Sequence, residues 1–124
     1  MTKDDRDPKE YLPLTPSEFH VLLALAEGDK HGYAIHKDVL TQTEGRVGLS
    51  TGTLYAILKR LLSEGMVEKS DRRPAPGRDD ERRRYYRLTR FGEEVAAAEL
   101  AEMEKHLSTA RARNLLDVTH PSQG

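Results

Sequence analysis

The sequence predicts a mostly α-helical chain carrying one small β-ribbon, and three observations lead there. Three amphipathic helix patterns, the first and third with N-caps, follow one another between Thr15 and Gly65. Two short strand patterns then flank a polar, arginine-rich loop, and a last apolar stripe runs at four-three spacing well beyond the length of the earlier helices. A chain of 124 residues has room for one core and an appended helix, with little left for a second core.

Residues 1–14 are charged, broken by Pro8 and Pro13 and without periodicity, so they read as a flexible arm. Thr15, Pro16, Ser17 and Glu18 then form a capping box with proline at the first helical position. Phe19, Leu22, Leu23 and Ala26 recur at helical spacing until Gly28, which suits the residue just past a helix end. Gly32 allows a tight turn into a second helix over Tyr33–Thr41, with Tyr33, Ile35, Val39 and Leu40 as its stripe. Thr43–Leu49, with Gly45 and Gly48, reads as a loop or a very short strand.

Ser50 caps a third helix, whose Leu54, Ile57, Leu58, Leu61 and Leu62 step by three and four until Gly65 closes it in a Schellman turn. Its other face holds Gly52, Thr53, Ala56, Lys59, Arg60 and Ser63, with Tyr55 at the border. Met66–Lys69 and Arg83–Leu88 read as the two strands of the ribbon. Tyr86 and Leu88 point inward, and Arg83, Tyr85 and Arg87 outward. Tyr86 is assigned to the core, whereas Tyr85 is open between cross-strand packing and base stacking. Thr89 caps a final helix from Arg90 to about Leu116, with a seam at Ala96, Leu100, Met103, Leu107 and Ala110. Its other faces, including Glu93, Glu94, Glu99 and Glu102, are expected to be solvated, and residues 117–124 read as a disordered tail.

Charge is balanced in sum and segregated in place. Lys and Arg number 20 against 21 for Asp and Glu. Yet Lys69–Arg90 holds nine basic residues and four acidic ones, and Phe91–Leu107 holds five acidic residues and one lysine. A local positive patch is informative about partners where the sum is not. The absence of cysteine excludes a disulfide framework, thiolate zinc sites and cysteine nucleophiles, and it is compatible with a reducing cytoplasm. The charged N-terminus has no signal-peptide character and no stretch approaches membrane-spanning length, so a cytoplasmic protein without membrane contact is expected. Histidines 20, 31, 36, 106 and 120 lack HExxH spacing, and no nucleophile elbow or glycine-rich phosphate loop occurs. No metal, cofactor or catalytic activity is expected.

Three helices followed by a basic ribbon is the order of a winged helix-turn-helix, in which the third helix enters the major groove of double-stranded DNA. Such a helix buries one face and offers small, hydrogen-bonding residues on the other, because bulky ones would hold its axis off the bases. The candidate DNA-binding residues are therefore Ser50, Thr51, Thr53, Tyr55, Lys59 and Arg60 on the helix, with Arg78, Arg82 and Arg83 on the wing loop. The plainer alternatives are a merely solvated helix face, and a solubilising loop whose charge Asp79, Asp80 and Glu81 partly neutralise. A winged-helix protein-interaction module, its wing docking an acidic partner, is the competing function.

The stretches LLALAEGDKHGYAIHKDV, GRVGLSTGTLYAILKRLLSEGMVE and RRYYRLTRFG resemble the PadR-like family of winged-helix transcriptional regulators over roughly Leu14–Glu94. The combination carries the resemblance: the HGY turn at His31, Gly32 and Tyr33, the serine-led GTLY helix start, and YYRLT leading to Gly92. It implies a homodimer joined through the C-terminal helix, usually repressing transcription and often released by a small ligand. The short chain after Gly92 is similar to the subfamily with one C-terminal helix. A small apolar or aromatic effector would then sit between the two C-terminal helices and the first helix, where Phe19 or Leu23 meets Leu100 and Met103. The domain plan is a 1–14 arm, a 15–89 DNA-binding unit, a 90–116 dimerisation helix and a 117–124 tail.

Overall fold

A computed structural model describes residues 5–71 and 84–119. The order is a 3-10 turn (Pro8–Tyr11), α1 (Pro16–Leu25), β1 (Lys30–His31), α2 (Gly32–Gln42), α3 (Thr51–Ser63), β2 (Val67–Lys69), β3 (Tyr85–Leu88), α4 (Arg90–Ala112) and α5 (Leu116–Thr119). This is the expected mostly α-helical winged helix, with one sheet of strand order β1-β3-β2.

Each helix start follows its cap. Thr15 Oγ1 accepts from the Glu18 amide at 3.1 Å while Glu18 Oε1 accepts from the Thr15 amide at 3.0 Å, completing the capping box. Ser50 Oγ accepts from the Thr53 amide at 3.1 Å, and Thr89 Oγ1 from the Gly92 amide at 3.0 Å. At the end of α3 the Met66 amide donates to the Leu61 carbonyl and the Gly65 amide to the Leu62 carbonyl, the Schellman pair that the sequence predicts.

The core joins Val21, Leu22 and Leu25 of α1, Ile35 and Val39 of α2, Leu54, Leu58 and Leu61 of α3, and Met66, Val67, Tyr86, Phe91 and Val95. Tyr86 is buried as expected, and its burial raises the phenol above its ordinary pKa. Gly92 is the tightest joint. A Cβ there would lie 2.1 Å from the Met66 carbonyl oxygen, so the first turn of α4 rests directly on the backbone that leads into β2.

Four expectations are corrected. Residues 5–14 are not a loose arm: Arg6 NH1 donates to the Glu64 carbonyl at 2.6 Å, its guanidinium lies 3.8 Å over the Phe91 ring, and Tyr11 meets Phe91 edge-on. The segment has no periodicity because only a few side chains anchor it. The ribbon has a third strand, β1, pairing Lys30 with Tyr86 and His31 with Tyr85; two residues are too few to show strand alternation. The last helix stops at Ala112 because Asn114 takes a left-handed conformation, and Leu116–Thr119, expected to lie at the helix end and in the tail, forms a separate helical turn. The rest of the expected tail, 120–124, lies outside the described residues. Glu99 is buried rather than solvated, accepting from the Leu14 amide at 2.7 Å.

Candidate nucleic-acid interface

The geometry of α3 follows from its two faces. Leu54, Leu58 and Leu61 are buried, while Thr51, Gly52, Thr53, Tyr55, Ala56, Lys59 and Arg60 are exposed. The outward strip therefore begins with small groups over the first turn and ends in cations over the last two. Ser50 Oγ donates to Thr53 Oγ1 at 2.9 Å, which fixes the threonine hydroxyl and leaves its own O–H able to donate outward. Lys59 makes no ion pair with any described residue.

Arg60, exposed on the same strip, also has partners within its own chain. Its NH1 lies 2.7 Å from Glu18 Oε2 and its Nε 3.6 Å from Glu64 Oε2. The Glu18 side chain is 7% exposed, so the guanidinium serves as the counter-ion of a carboxylate buried at α1. The capping box announces Glu18 in the sequence, but one oxygen suffices for a cap. Nothing in the spacing says that the other meets a residue 42 positions on.

Tyr55 leans back over the start of α2. A Cβ on Gly32 would lie 2.5 Å from the Tyr55 hydroxyl oxygen, so the glycine of the HGY motif is required for this approach and not for the turn that the sequence suggests. His31 makes that turn by capping α2, its Nδ1 accepting from the Ala34 amide at 3.3 Å. Tyr33, exposed and 5.7 Å from the Lys37 ammonium, stands beside it. Gly32, Tyr33, His36, Leu49, Thr51, Leu54 and Tyr55 line a cleft of about 180 Å³ next to the first turn of α3. Tyr33, expected in the apolar stripe of α2, is exposed instead, and with the half-buried His36 it extends the face beyond the candidate DNA-binding residues.

Because the three nearest atoms to a Cβ at Gly32 all belong to the far end of the Tyr55 side chain, Gly32→Ala is expected to swing that ring outward and keep the fold. The thermal midpoint should stay within about 3 °C of wild type, with a changed affinity for DNA. A large fall in midpoint would show that the ring cannot move.

At the root of the wing, Arg87 Nε lies 2.7 Å from Glu68 Oε2 across the β2–β3 pair. Part of the local positive excess is therefore spent inside the sheet. Tyr85 is half-buried with His31 edge-on at 5.4 Å, which favours packing over base stacking. Arg78, Arg82 and Arg83 lie outside the described residues.

The family profile described as "Transcriptional regulator PadR-like family" matches residues 21–98, more than half of the chain. The chain belongs to that family. Among solved structures, this PadR-like protein is similar to a transcriptional regulator from Clostridium thermocellum, with 27% identity, 86% of this chain and 92% of the other covered, and a TM-score of 0.60. It is likewise similar to RosR of H. salinarum, with 28% identity, coverage of 89% and 94%, and a TM-score of 0.59. A PadR family regulator from Clostridium difficile R20291 shares the fold at 24% identity, coverage of 79% and 97%, and a TM-score of 0.63. The family model and the two clostridial neighbours carry the description of transcriptional regulators, and residues 21–98, which the family model matches, take in most of the winged helix described above.

The second candidate surface of this PadR-like regulator is the outer face of α4. Leu100, Met103 and Leu107 are 43%, 42% and 40% exposed, large apolar side chains that their own domain leaves uncovered. With Ala97, Ala101 and Glu104 they line an open groove of about 490 Å³. The seam residues Ala96 and Ala110 are half-buried. Phe19 is buried in its own chain, and neither it nor Leu23 lines that groove, so the single chain does not assemble the expected effector pocket. No helix among the described residues is long and apolar enough to cross a membrane, and no metal-binding cluster occurs among them.

Proposed function

We propose that this PadR-like chain is a cytoplasmic, sequence-specific regulator that binds a pseudo-palindromic operator in double-stranded DNA as a homodimer, repressing until a small apolar or aromatic effector releases it. The observation that carries the reading is the outward strip of α3. Gly52, Thr53 and Ala56 are small enough for the helix axis to approach base edges, and the exposed Lys59 stands one to two turns further on. The exposed Leu100, Met103 and Leu107 support self-association through α4. An effector in that arrangement would meet Phe19 or Leu23 of α1 only when a second chain brings another surface to the seam.

The roles of helix and wing separate in binding data. Lys59→Ala should cost about 1 to 3 kcal/mol on selected DNA and little on a shuffled duplex, because it removes a base-edge or register contact. An alanine triple at Arg78, Arg82 and Arg83 should weaken both duplexes alike, and the salt slope should fall by about 0.9 for every phosphate no longer neutralised. The test is enrichment from a random duplex pool by the wild-type protein, followed by salt titration of the enriched and shuffled sequences. A wing triple that alone removes sequence preference would invert the two roles. A wild-type protein that enriches nothing would instead favour the protein-interaction module.

A further inference from the structure

The Glu18–Arg60 pair has no place in the reading of DNA just proposed, yet among the described residues it is the ion pair that ties the third helix to a carboxylate buried within the domain. The Glu18 carboxylate is shared: Oε1 holds the Thr15 amide at the start of α1, and Oε2 holds Arg60 of α3. One residue before Thr15, the Leu14 amide donates at 2.7 Å to Glu99, a buried carboxylate of α4. Glu99 directly precedes Leu100 of the exposed seam, so two buried carboxylates and the backbone of residues 14–15 connect the outer helix to the DNA-facing one.

We infer that Glu18, Arg60 and Glu99 are positioning residues that fix the angle of α3 relative to α4, so that a shift of α4 at the seam is passed to the reading helix. The physical reason is the cost of leaving either carboxylate without its partner. A buried ionised group is tolerated only where its partners stay in place, so α1 and α3 move together or an uncompensated charge is left behind. Apolar contacts tolerate small sliding, whereas the ion pair at 2.7 Å between α1 and α3 and the hydrogen bond at 2.7 Å from the Leu14 amide to Glu99 of α4 are lengthened by it. This inference rests on the proposed DNA reading for its functional meaning, while the mechanical link can be measured without DNA.

The test uses the full chain and the duplex enriched by wild type, beside its shuffled counterpart. Glu18→Gln leaves one neutral acceptor for two donors, and Arg60→Met keeps the side-chain stem without the charge. Each should lower the enriched-to-shuffled preference about tenfold, and the double variant should be no worse than the weaker single one. Arg60→Lys should restore most of the preference, because it returns a cation to Glu18. Glu99→Leu should lower it, and Glu99→Gln should not, since the amide oxygen still accepts from Leu14. Hydrogen exchange at the amides of Leu54–Ser63 should quicken in Glu18→Gln and in Glu99→Leu.

If Arg60→Met loses preference while Glu18→Gln keeps it, Arg60 reads DNA itself and the inference is overturned. Unchanged exchange across α3 in both carboxylate variants overturns it as well. Should the wild-type chain enrich no sequence, the DNA reading fails by itself, and the exchange measurement alone decides whether the tie positions the helix.

Discussion

Gly92→Ala is expected to unfold the domain or to lower its thermal midpoint by roughly 10 °C or more, a loss of about 3 kcal/mol at the least. The new methyl group would sit 2.1 Å from the Met66 carbonyl oxygen and 2.8 Å from Leu88 Cδ1. Neither neighbour can withdraw easily. The Met66 carbonyl already accepts from the Thr89 amide at 3.0 Å, and the Met66 amide closes the Schellman turn of α3. Thr89 Oγ1 in turn donates to the Gly65 carbonyl at 2.6 Å, so relief at one point breaks the cap of α4 or the end of α3. Domains of this size have stabilities of about 5 to 15 kcal/mol, so such a loss is a large share of the whole. Thermal and urea unfolding measure it. A midpoint within about 2 °C of wild type would mean that the helix start can pivot away from β2. The contrast with Gly32→Ala is informative, since there the obstacle is a side-chain tip and here it is backbone.

Met103→Lys should convert the protein to monomers at micromolar concentration and reduce affinity for the enriched duplex by about a hundredfold or more, since two linked half-site contacts become one. Met103 lies between Leu100 and Leu107 on the uncovered stripe, where a lysine would have to lose its hydration shell for the two helices to meet. The helix has the length for this role. At 23 residues it spans roughly 35 Å, whereas α1 to α3, of 10, 11 and 13 residues, reach about 15 to 20 Å. Sedimentation of the variant at several concentrations, with its thermal midpoint measured alongside, provides the check. A dimer that survives the substitution would place the contact between copies elsewhere. In a dimer, inserting about five base pairs between the half-sites should also abolish tight binding, because it turns the second site to the opposite side of the duplex.

The caps show why so much of this fold is legible before any tertiary contact is known. Thr15, Ser50 and Thr89 each start a helix through a bond to an amide three residues on, and the Gly65 turn closes through backbone bonds that span only a few residues. Interactions this short in sequence are written in it directly. The leucine spacing of α3 is equally local, since burial of one face and exposure of the other follow from a 3.6-residue period. For the same reason the small outward residues Gly52, Thr53 and Ala56, and the apolar seam of α4, could be named from spacing alone.

What only the tertiary structure decided are contacts between residues far apart, for which no period or motif exists. Arg60 lies on the exposed face, as its spacing requires, but the side chain folds back to Glu18, and a position on a helical wheel does not specify where a long flexible side chain ends. Glu99 sits among solvated glutamates in sequence and is buried because the chain at Leu14 crosses α4 there. Arg6 anchors a segment without periodicity through contacts that include the Glu64 carbonyl and the Phe91 ring. Gly32 and Gly92 look alike as glycines, and only packing shows that one faces a movable ring and the other a fixed carbonyl. The sequence determined the three helices between Thr15 and Gly65, the β2–β3 pair and the start of α4, because those depend on neighbours within a few residues. Tertiary structure decided which polar groups hold the elements at their angles, because partners dozens of residues apart meet only after the core has closed.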